Sequence, residues 1–476
     1  MAAALLTLTG DAGLTTALAR ALAPELRAGD TVLLDGPVGA GKSHFARALI
    51  RARLDNPDED VPSPTFTLVQ TYDGDPPIWH SDLYRLTDPA EIDELGLLDA
   101  LPEAIALIEW PDRMDPVPGA LTLRFQPQDD PDLRQITLMG DPAHWARAAR
   151  AAARAAFVHD AGWGDAQVGF LAGDASARRY FRLRRGGDTA VLMDSDAETL
   201  APYLAMTDWL RRAAFDAPCV FAADPAAGLA LIEDFGDAQS ARVVAADPAQ
   251  AAPLYQRIAA LLARLALLPP APGIKVLDGP EMARQVGLFA QWYPAAAGAD
   301  ADAQAAADAI APLVARLHAE LCADLPPVTG LRDFHAENII LTVDNRLGLL
   351  DFQDAVAVHP AYDLASVLHD ARRAIPAEVE QAAIARFLAD TGLNPARFRA
   401  AFALLSVQRN LRIMGIFTRL CIVDGKARYL AFMPHVWSLI GRALKAPELA
   451  ELAGLVARIP PPDAATIERI AAQCRR

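Results

Sequence analysis

The sequence predicts two domains of different fold class, an α/β domain at the N-terminus and a two-lobed α+β domain after it. Three patterns predict this: a strand, a glycine-rich loop and a helix over 31–53, two later strands that each end in an acidic residue, and Asp and Asn residues in paired loops over 331–351. Since a domain ordinarily takes roughly 100–200 residues, the 476 residues of the chain are enough for both.

Composition and charge indicate a globular protein. Hydrophobic residues make up 53% of the chain, charged residues 22%, and the net charge is −16. Residues 1–150 hold 24 Asp and Glu against 12 Lys and Arg, so the first domain is a poor stand-alone binder of nucleic acid. It could still dock a protein partner through complementary charge. With no apolar run of membrane-spanning length and no signal-peptide pattern, we expect a cytoplasmic protein.

The cysteines are isolated in the sequence and show no metal-binding spacing. They are Cys219, Cys322, Cys421 and Cys474. Such spacing is typical of thiols in a reducing compartment, so we expect four unlinked thiols.

A phosphate-binding loop is the clearest motif of the first domain. TVLLD (31–35) predicts a short buried strand, and GPVGAGKS follows it, matching G-x-x-x-x-G-K-[ST] ahead of a helix. Its glycines let backbone N–H groups turn toward phosphate oxygens, and the helix N-terminus adds a favourable dipole. In such a loop Lys42 reaches the phosphates of ATP and Ser43 ligates Mg²⁺. The glycines that bind the nucleotide are Gly36, Gly39 and Gly41.

Two acidic residues follow predicted strands. PIWHSDLYRL (77–86) predicts a strand that ends near Asp82, and EAIALIEWPDR (103–113) predicts one that ends at Glu109. Ligands gather at the carboxyl ends of parallel strands, so both acids should lie beside the phosphate loop. There one carboxylate can hold Mg²⁺ through water and the other can orient the attacking water. A helix cap or a solvent-facing acid is the alternative for each.

A proline-framed turn lies between the loop and these strands. In VPSPTFTLVQTY (61–72), Ser63 or Thr65 could sense the γ-phosphate of the nucleotide. An ordinary proline-punctuated loop explains the same residues equally well.

Four segments, taken together, resemble the TsaE family, the ATPase subunit of the bacterial machinery that makes threonylcarbamoyladenosine on tRNA. They are GPVGAGKS, SPTFTLV, HSDLYRL and IEWPDR. The resemblance covers roughly 7–140 and implies a small α/β P-loop NTPase fold, Mg-ATP hydrolysis and TsaB/TsaD-type partners. The positions carried over are Lys42, Ser43, Thr65, Asp82 and Glu109. Ser43 and Asp82 are then metal ligands, Thr65 contacts the nucleotide and Glu109 is catalytic, while ALTLRF (120–125) and RQITLMG (134–140) close the fold as antiparallel strands.

A change of pattern marks the domain boundary. DPAHWARAARAAARAA (141–156) breaks the strand pattern and predicts a helix. We therefore place the first domain at 1–148 and the second at 157–476.

The second domain begins with the pattern of a kinase small lobe. Residues 167–195 predict strand, turn, strand, hairpin and strand, and a helix (197–213) and another strand (229–237) follow. Gly173 and Ser176, in the first turn, could cover the phosphates of ATP.

The third strand of this lobe lacks the lysine that kinases use to pair with phosphate. Met193 occupies that position. Mg²⁺, or arginines such as Arg178 and Arg179, would then have to meet the phosphate charge.

The strongest signal of the second domain is a set of loop residues. LRDFHAENIILT (331–342) holds Asp333 and Asn338 at D-x-x-x-x-N spacing, and LGLLDFQDA (347–355) places Asp351 after an apolar strand. In a kinase-type site the first Asp accepts the proton of the attacking hydroxyl, and the Asn and the second Asp hold Mg²⁺. Asp363, at the start of a later helix, is expected to cap that helix or brace the catalytic loop.

This half of the chain resembles the aminoglycoside-phosphotransferase-like kinases, and among them the AmgK-type sugar 1-kinases of peptidoglycan recycling. The matching segments span about 170–430 and include GDASARRYFR, VLMDS, LIEDFGD, LRDFHAENI and LDFQDAV. The family itself carries Met-Asp where the lysine is missing. The resemblance implies a two-lobed protein-kinase-like fold, the cofactors ATP and Mg²⁺, and transfer to the anomeric hydroxyl of N-acetylmuramate or N-acetylglucosamine. Asp333 then acts as the base, with Asn338 and Asp351 on the metal.

The sugar-contacting residues are less defined. Trp292 and Tyr293 could stack on the pyranose ring, and Arg409 or Arg412 could meet the lactyl carboxylate, but core packing or surface ion pairs explain them more simply.

Alternatives to a bifunctional enzyme stay open at this point. The second half could be a nucleotide-binding regulatory pseudokinase, or a kinase for an aminoglycoside or an amino alcohol. A substrate-phosphorylating kinase in the first half is disfavoured, because its ~140 residues contain no obvious lid segment.

Overall fold

The computed structural model describes residues 3–86, 92, 95–173 and 178–475. They form two compact units, each described by itself. The first comprises Met1–Leu200 with Val220–Asp234, and the second comprises Ala201–Cys219 with Phe235–Arg476.

A mixed sheet forms the larger part of the first unit. Its strands are β1 (Ala3–Gly10), β2 (Thr31–Asp35), β3 (Val69–Tyr72), β4 (Ile78–Asp82), β5 (Ile105–Glu109), β6 (Leu121–Pro127) and β7 (Arg134–Gly140). Their order across the sheet is β1-β7-β6-β2-β5-β4-β3. Because β2, β4 and β5 are parallel, their carboxyl ends meet at one edge. The predicted closing strands, β6 and β7, are antiparallel to each other.

Helices cover this sheet with apolar faces. They are α1 (Ala12–Leu22), α2 (Lys42–Arg53), α3 (Leu97–Ala100) and α4 (Pro142–Val158). In α2, Phe45, Leu49 and Ile50 recur at helical spacing and are fully buried in the core. The helix predicted over 141–156 is α4, which begins after an Asp141 side chain that accepts a hydrogen bond from the Ala143 N–H.

A second, antiparallel sheet completes the first unit. Its strands are β8 (Gln167–Gly173), β9 (Arg179–Arg185), β10 (Asp188–Asp194), β11 (Val220–Asp224) and β12 (Leu229–Glu233), in the order β11-β12-β10-β9-β8. The pattern predicted for the kinase small lobe is therefore confirmed. Val158, in the last turn of α4, packs with Leu183, Leu192 and Leu231 of this sheet. Trp145, near the start of the same helix, belongs to the core of the large sheet, so α4 contributes to both cores.

The second unit is mainly helical, with short strands. The strands are β13 (Lys275–Val276), β14 (Val328–Gly330), β15 (Ile339–Leu341), β16 (Leu347–Leu349) and β17 (Val356–Val358). The helices are α5 (Ala197–Arg212), α6 (Ser240–Ala246), α7 (Ala251–Ala266), α8 (Gly279–Ala297), α9 (Ala301–Leu321), α10 (Ala361–Leu368), α11 (Ala377–Thr391), α12 (Pro395–Asp424), α13 (Met433–Ala443), α14 (Ala450–Val456) and α15 (Ala464–Ala471). α12 packs against α8, and a Cβ at Gly415 would collide with the Leu288 carbonyl oxygen, so this close approach requires glycine.

Tertiary packing corrects one expectation and decides between two alternatives for Tyr293 in favour of core packing. Cys421 and Cys474 form a disulfide with Cα atoms 4.9 Å apart, so the expectation of four unlinked thiols is wrong for this pair. The two are 53 residues apart, and sequence spacing does not show such a pairing. Tyr293 is fully buried, stacks on Phe289 and donates to the Pro460 carbonyl oxygen, which makes it a core residue instead of a sugar platform.

Along the described part of the chain, no helix combines the length and apolar character that a membrane span requires.

Candidate active sites

The phosphate loop connects β2 to α2 as predicted. Gly36, Gly39 and Gly41 have φ angles of 148°, 78° and 106°, a region that side-chain-bearing residues rarely adopt. The loop path therefore depends on glycine at these positions. It leads directly into α2, whose first residue is Lys42.

Lys42 lies against the loop itself. Its ammonium donates to the carbonyl oxygens of Gly36 (2.7 Å) and Pro37 (2.9 Å) and lies 4.0 Å from the centroid of the Trp110 ring. Burial lowers the pKa of Lys42, and the nearby carboxylates of Glu109 and Asp82 oppose that shift. A buried cation in a glycine loop at a helix N-terminus fits the phosphate groups of a nucleotide.

The two predicted acids lie next to each other at the edge of the sheet. Asp82 and Glu109 are register partners at the ends of β4 and β5, and both are buried. Ser43 Oγ donates to Glu109 Oε2 at 3.0 Å, and Thr65 Oγ1 donates to Asp82 Oδ2 at 2.6 Å. Ser63 Oγ lies 3.3 Å from the same Asp82 oxygen. The structure thus brings together the loop, both acids and the proline-framed turn.

His80 is a neighbour of this site that the sequence reasoning missed. Its Nε2 lies 3.1 Å from Glu109 Oε1, and the imidazole is buried. Because strand residues two apart share a face, His80 could have been placed beside Asp82 from the alternation of β4. The contact orients the Glu109 carboxylate.

In the small sheet, Asp194 and Arg179 lie next to the position where kinases carry a lysine. Met193 is fully buried, and the next residue, Asp194, accepts a hydrogen bond from Arg179 Nη2 at 3.1 Å. The positive charge of Arg179 is therefore shared with a buried carboxylate. Gly173 is the last residue of β8. Ser176 lies outside the described residues.

The predicted catalytic residues of the second unit lie in neighbouring loops. Asn338 Nδ2 donates to the Asp333 carbonyl oxygen (2.9 Å) and lies 3.4 Å from Asp351 Oδ2. β15 and β16 form the hairpin that brings Asn338 and Asp351 together. Gln353, which the sequence reasoning did not single out, donates to Asp351 Oδ1 at 2.9 Å. Asp351 has a φ of 59°, an unusual backbone conformation of the kind found at functional sites.

Asp363 braces the catalytic loop, as predicted. Its carboxylate accepts hydrogen bonds from the backbone N–H groups of Leu331 (2.5 Å) and Arg332 (3.1 Å). Burial raises the pKa of Asp363 to about 7, although these hydrogen bonds act in the opposite direction. Arg332 has a φ of 70°, so the hydrogen bonds from Asp363 hold a strained turn in place.

The donors at both sites suit a nucleotide-bound Mg²⁺. Neither site is built from such side chains alone, since the described residues contain no group of three or more His, Cys, Asp and Glu that could hold a metal ion. The available donors are a hydroxyl, carboxylates and an amide: Ser43, Asp82, Asn338 and Asp351. Mg²⁺ usually takes one or two carboxylates and completes its shell with water and phosphate oxygens, so these donors fit it.

The first unit has a phosphate loop with buried acids, and the second has an Asp-Asn-Asp set. These sites define the class of protein, which is an enzyme with two ATP-using sites for phosphate chemistry. Two sequence profiles match the chain accordingly. The family described as "Threonylcarbamoyl adenosine biosynthesis protein TsaE" matches residues 9–136, and the one described as "Phosphotransferase enzyme family" matches residues 167–401.

Curated relatives also fall into two groups, one for each part of the chain. An N-acetylmuramate/N-acetylglucosamine kinase of Caulobacter vibrioides is 37% identical over 348 residues, covering 64% of this chain and 94% of the relative. A tRNA threonylcarbamoyladenosine biosynthesis protein TsaE of Rickettsia bellii is 44% identical over 97 residues, covering 20% of this chain and 67% of the relative. The TsaE protein of Rickettsia felis is 46% identical over 97 residues, and the chain spans 56% of its length.

The chain belongs to the N-acetylmuramate/N-acetylglucosamine kinase family through its larger, C-terminal part and to the TsaE family through its N-terminal part. It is an enzyme that joins a phosphotransferase to an ATPase-type protein.

Proposed function

We propose that the C-terminal part transfers the γ-phosphoryl group of Mg-ATP to the anomeric hydroxyl of N-acetylmuramate or N-acetylglucosamine. The N-terminal part hydrolyses Mg-ATP as a subunit of the machinery that makes threonylcarbamoyladenosine on tRNA. The observation that carries the proposal is the Asp333, Asn338 and Asp351 set, in a chain 37% identical to a protein named for this sugar kinase activity.

In the kinase reaction, Asp333 accepts the proton of the anomeric hydroxyl as the sugar oxygen attacks the γ-phosphorus. The bond from that phosphorus to the bridging oxygen breaks, and ADP leaves. Asn338 and Asp351 would hold Mg²⁺, which neutralises phosphate charge when bound. Gln353 and Asp363 keep the two loops in position through the hydrogen bonds described above.

In the ATPase site, Lys42 exchanges its hydrogen bonds to loop carbonyls for bonds to the β- and γ-phosphates. Ser43 and Asp82 would hold Mg²⁺, and Glu109 orients the attacking water. The Ser43–Glu109 hydrogen bond supports this assignment, because it joins the carboxylate to a residue that would hold the metal. The hydrogen bond from Thr65 to Asp82 supports a role for Thr65 in responding to the γ-phosphate.

We propose protein partners of the TsaB/TsaD type for the N-terminal part and a cytoplasmic location for the whole chain. Apolar side chains stand exposed around the phosphate loop and the proline-framed turn, with Val38 73% and Phe66 81% exposed. Contiguous exposed apolar patches mark interaction sites, and these side chains would contribute to such a patch. The acidic character of 1–150 disfavours direct binding to nucleic acid.

We further propose functional domains at 1–148 and 157–476, with Gly173 and Ser176 covering the phosphates of ATP in the second. The profile matches at 9–136 and 167–401 support this division.

The test is a phosphate-transfer assay on the full-length chain, with Mg-ATP and N-acetylmuramate, N-acetylglucosamine or an aminoglycoside, followed by ³¹P NMR. Sugar 1-phosphate should form, disappear in Asp333→Asn and persist in Lys42→Ala. Transfer to the aminoglycoside alone would redirect the proposal to another acceptor. ATP binding without transfer to any acceptor would identify a pseudokinase.

A further inference from the structure

Arg409 stands out among the buried cations of the second unit. It lies in the middle of α12 and is 7% exposed, and its Nη1 makes no hydrogen bond with any described residue. Arg373, in the same region, is paired instead, with Glu337 at 3.0 Å and Asp370 at 3.2 Å. A buried guanidinium with an unsatisfied nitrogen is costly unless an anion or another acceptor completes its hydrogen bonds.

The surroundings of Arg409 connect it to the catalytic loop. The charges that act on it are those of Tyr362, Asp370, Asp333 and Arg412, all within electrostatic range. Burial lowers the pKa of Arg409, yet a guanidinium titrates so far above neutrality that it stays charged. A permanent cation thus lies near the residue that accepts the proton of the acceptor hydroxyl.

A second observation indicates that a polar ligand belongs beside this loop. His335 Nδ1 and Gln353 Oε1 are also buried without a hydrogen-bond partner among the described residues. Buried polar atoms are nearly always paired, so unpaired ones around a catalytic loop are explained by a bound polar molecule or by water.

We propose that Arg409 is the residue that recognises a carboxylate on the acceptor sugar. This inference rests on the proposed kinase function and assigns a residue that determines its substrate specificity. N-acetylmuramate differs from N-acetylglucosamine by a lactyl ether that carries a carboxylate, and a guanidinium binds a carboxylate through two parallel hydrogen bonds. Arg409 therefore discriminates between the two sugars, while Asp333 acts on the hydroxyl that they share.

A structural role makes a different prediction. If Arg409 served only to hold Asp370, Tyr362 and Asp333 in place, its loss would affect both sugars equally. The ratio of kcat/KM for the two sugars separates these roles, because the carboxylate is present in one sugar and absent from the other.

The experiment compares Arg409→Met and Arg409→Lys with the parent chain on both sugars. Losing a charged hydrogen-bond partner should lower kcat/KM for N-acetylmuramate in Arg409→Met on the order of 10–100-fold, mainly through KM. The value for N-acetylglucosamine should change by less than about 3-fold, and Arg409→Lys should restore part of the loss. Arg442→Met is the matched control, because it removes a cation of α13 that is paired with Glu380 of α11, and it should change kcat/KM for neither sugar.

A chemical test needs no mutation. In the parent chain, the methyl ester of N-acetylmuramate should lose about the same 10–100-fold as Arg409→Met loses with the acid. Equal losses on both sugars in Arg409→Met, or an ester used as well as the acid, would overturn the assignment. If the parent chain phosphorylates neither sugar, the proposed function fails, and the inference fails with it.

Discussion

Arg150 and Asp194 form a buried ion pair that joins α4 to the end of β10. Two nitrogens of the Arg150 guanidinium donate to Asp194 Oδ1, at 2.8 and 2.5 Å, and the Asp194 side chain is 4% exposed. Arg154 donates to the other carboxylate oxygen at 2.8 Å and also lies 3.7 Å from Glu25. Since Trp145 and Val158 of the same helix lie in different cores, α4 is a structural element of both sheets.

We expect this ion pair to stabilise the first unit strongly. Asp194→Ala leaves Arg150, Arg154 and Arg179 without their buried partner, and breaking a buried pair costs about 3–5 kcal/mol of the free energy of unfolding. Urea denaturation measures the loss. Asp208→Ala, which removes the carboxylate of the exposed Arg212–Asp208 pair, should cost less than about 1 kcal/mol. Equal effects of the two substitutions would contradict the assigned role.

The same ion pair predicts that the thermal stability of a C-terminal piece depends on where the chain is divided. A piece that starts at 157 keeps Asp194 but loses Arg150 and Arg154, whereas one that starts at 141 keeps all three. The longer piece should therefore melt at the higher temperature, which calorimetry can compare directly. Equal melting temperatures would show that α4 contributes nothing to the small sheet.

Asp363 should give the stability a distinct pH dependence. Its pKa in the folded chain is about 7, above the ordinary value of 3.8, so the neutral carboxyl favours folding. This contribution is complete below the pKa of the unfolded chain and is lost as the pH rises through about 7. In urea titrations, the free energy of unfolding of the parent chain minus that of Asp363→Asn should decrease as the pH rises from 4 to 7. A difference that stays constant over this range would refute the raised pKa.

Glu109→Gln should separate ATP hydrolysis from ATP binding in the N-terminal site. The amide retains an oxygen for Ser43 but no longer activates water, and a positioned acid–base group contributes about 10²–10⁴-fold. We expect a loss of this order in phosphate release, with nucleotide affinity preserved. The measurement is made in an Asp333→Asn background, so that the kinase site does not contribute. The exposed Glu103→Gln is the control, and unchanged hydrolysis in Glu109→Gln would remove Glu109 from the mechanism.

Two helical glycines should respond to alanine in opposite directions. A Cβ at Gly415 meets the Leu288 backbone, so Gly415→Ala should cost about 1–3 kcal/mol by overpacking. A Cβ at Gly441 meets no atom within 4 Å, so Gly441→Ala should stabilise the chain by about 0.5–1 kcal/mol through helix propensity. Denaturation midpoints of the two variants test the contact between α8 and α12.

Reduction should weaken the second unit. The Cys421–Cys474 disulfide closes a long loop, and losing such a link typically costs about 2–4 kcal/mol. Alkylation of the unfolded chain should label Cys219 and Cys322 without a reductant and all four cysteines with one. Labelling of all four before reduction would show that the pair is not oxidised.

The sequence was sufficient wherever a site depends on local spacing. The phosphate loop, the acids at the ends of β4 and β5, and the Asp333-to-Asn338 spacing were all predictable, because a strand, a turn and a helix are encoded by neighbouring residues. The parallel pairing of β4 and β5 then required Asp82 and Glu109 to share an edge.

Only the tertiary structure decided the contacts between distant residues. No sequence pattern pointed to a partner for Asp194, yet two of the arginines that bind it lie 40 and 44 residues earlier, on the helix at the predicted domain boundary. Tyr293 proved to be a core residue, and Cys421 was found to pair with Cys474. The physical reason is that periodicity fixes which face of an element is apolar, whereas the partner of that face depends on how the whole chain packs.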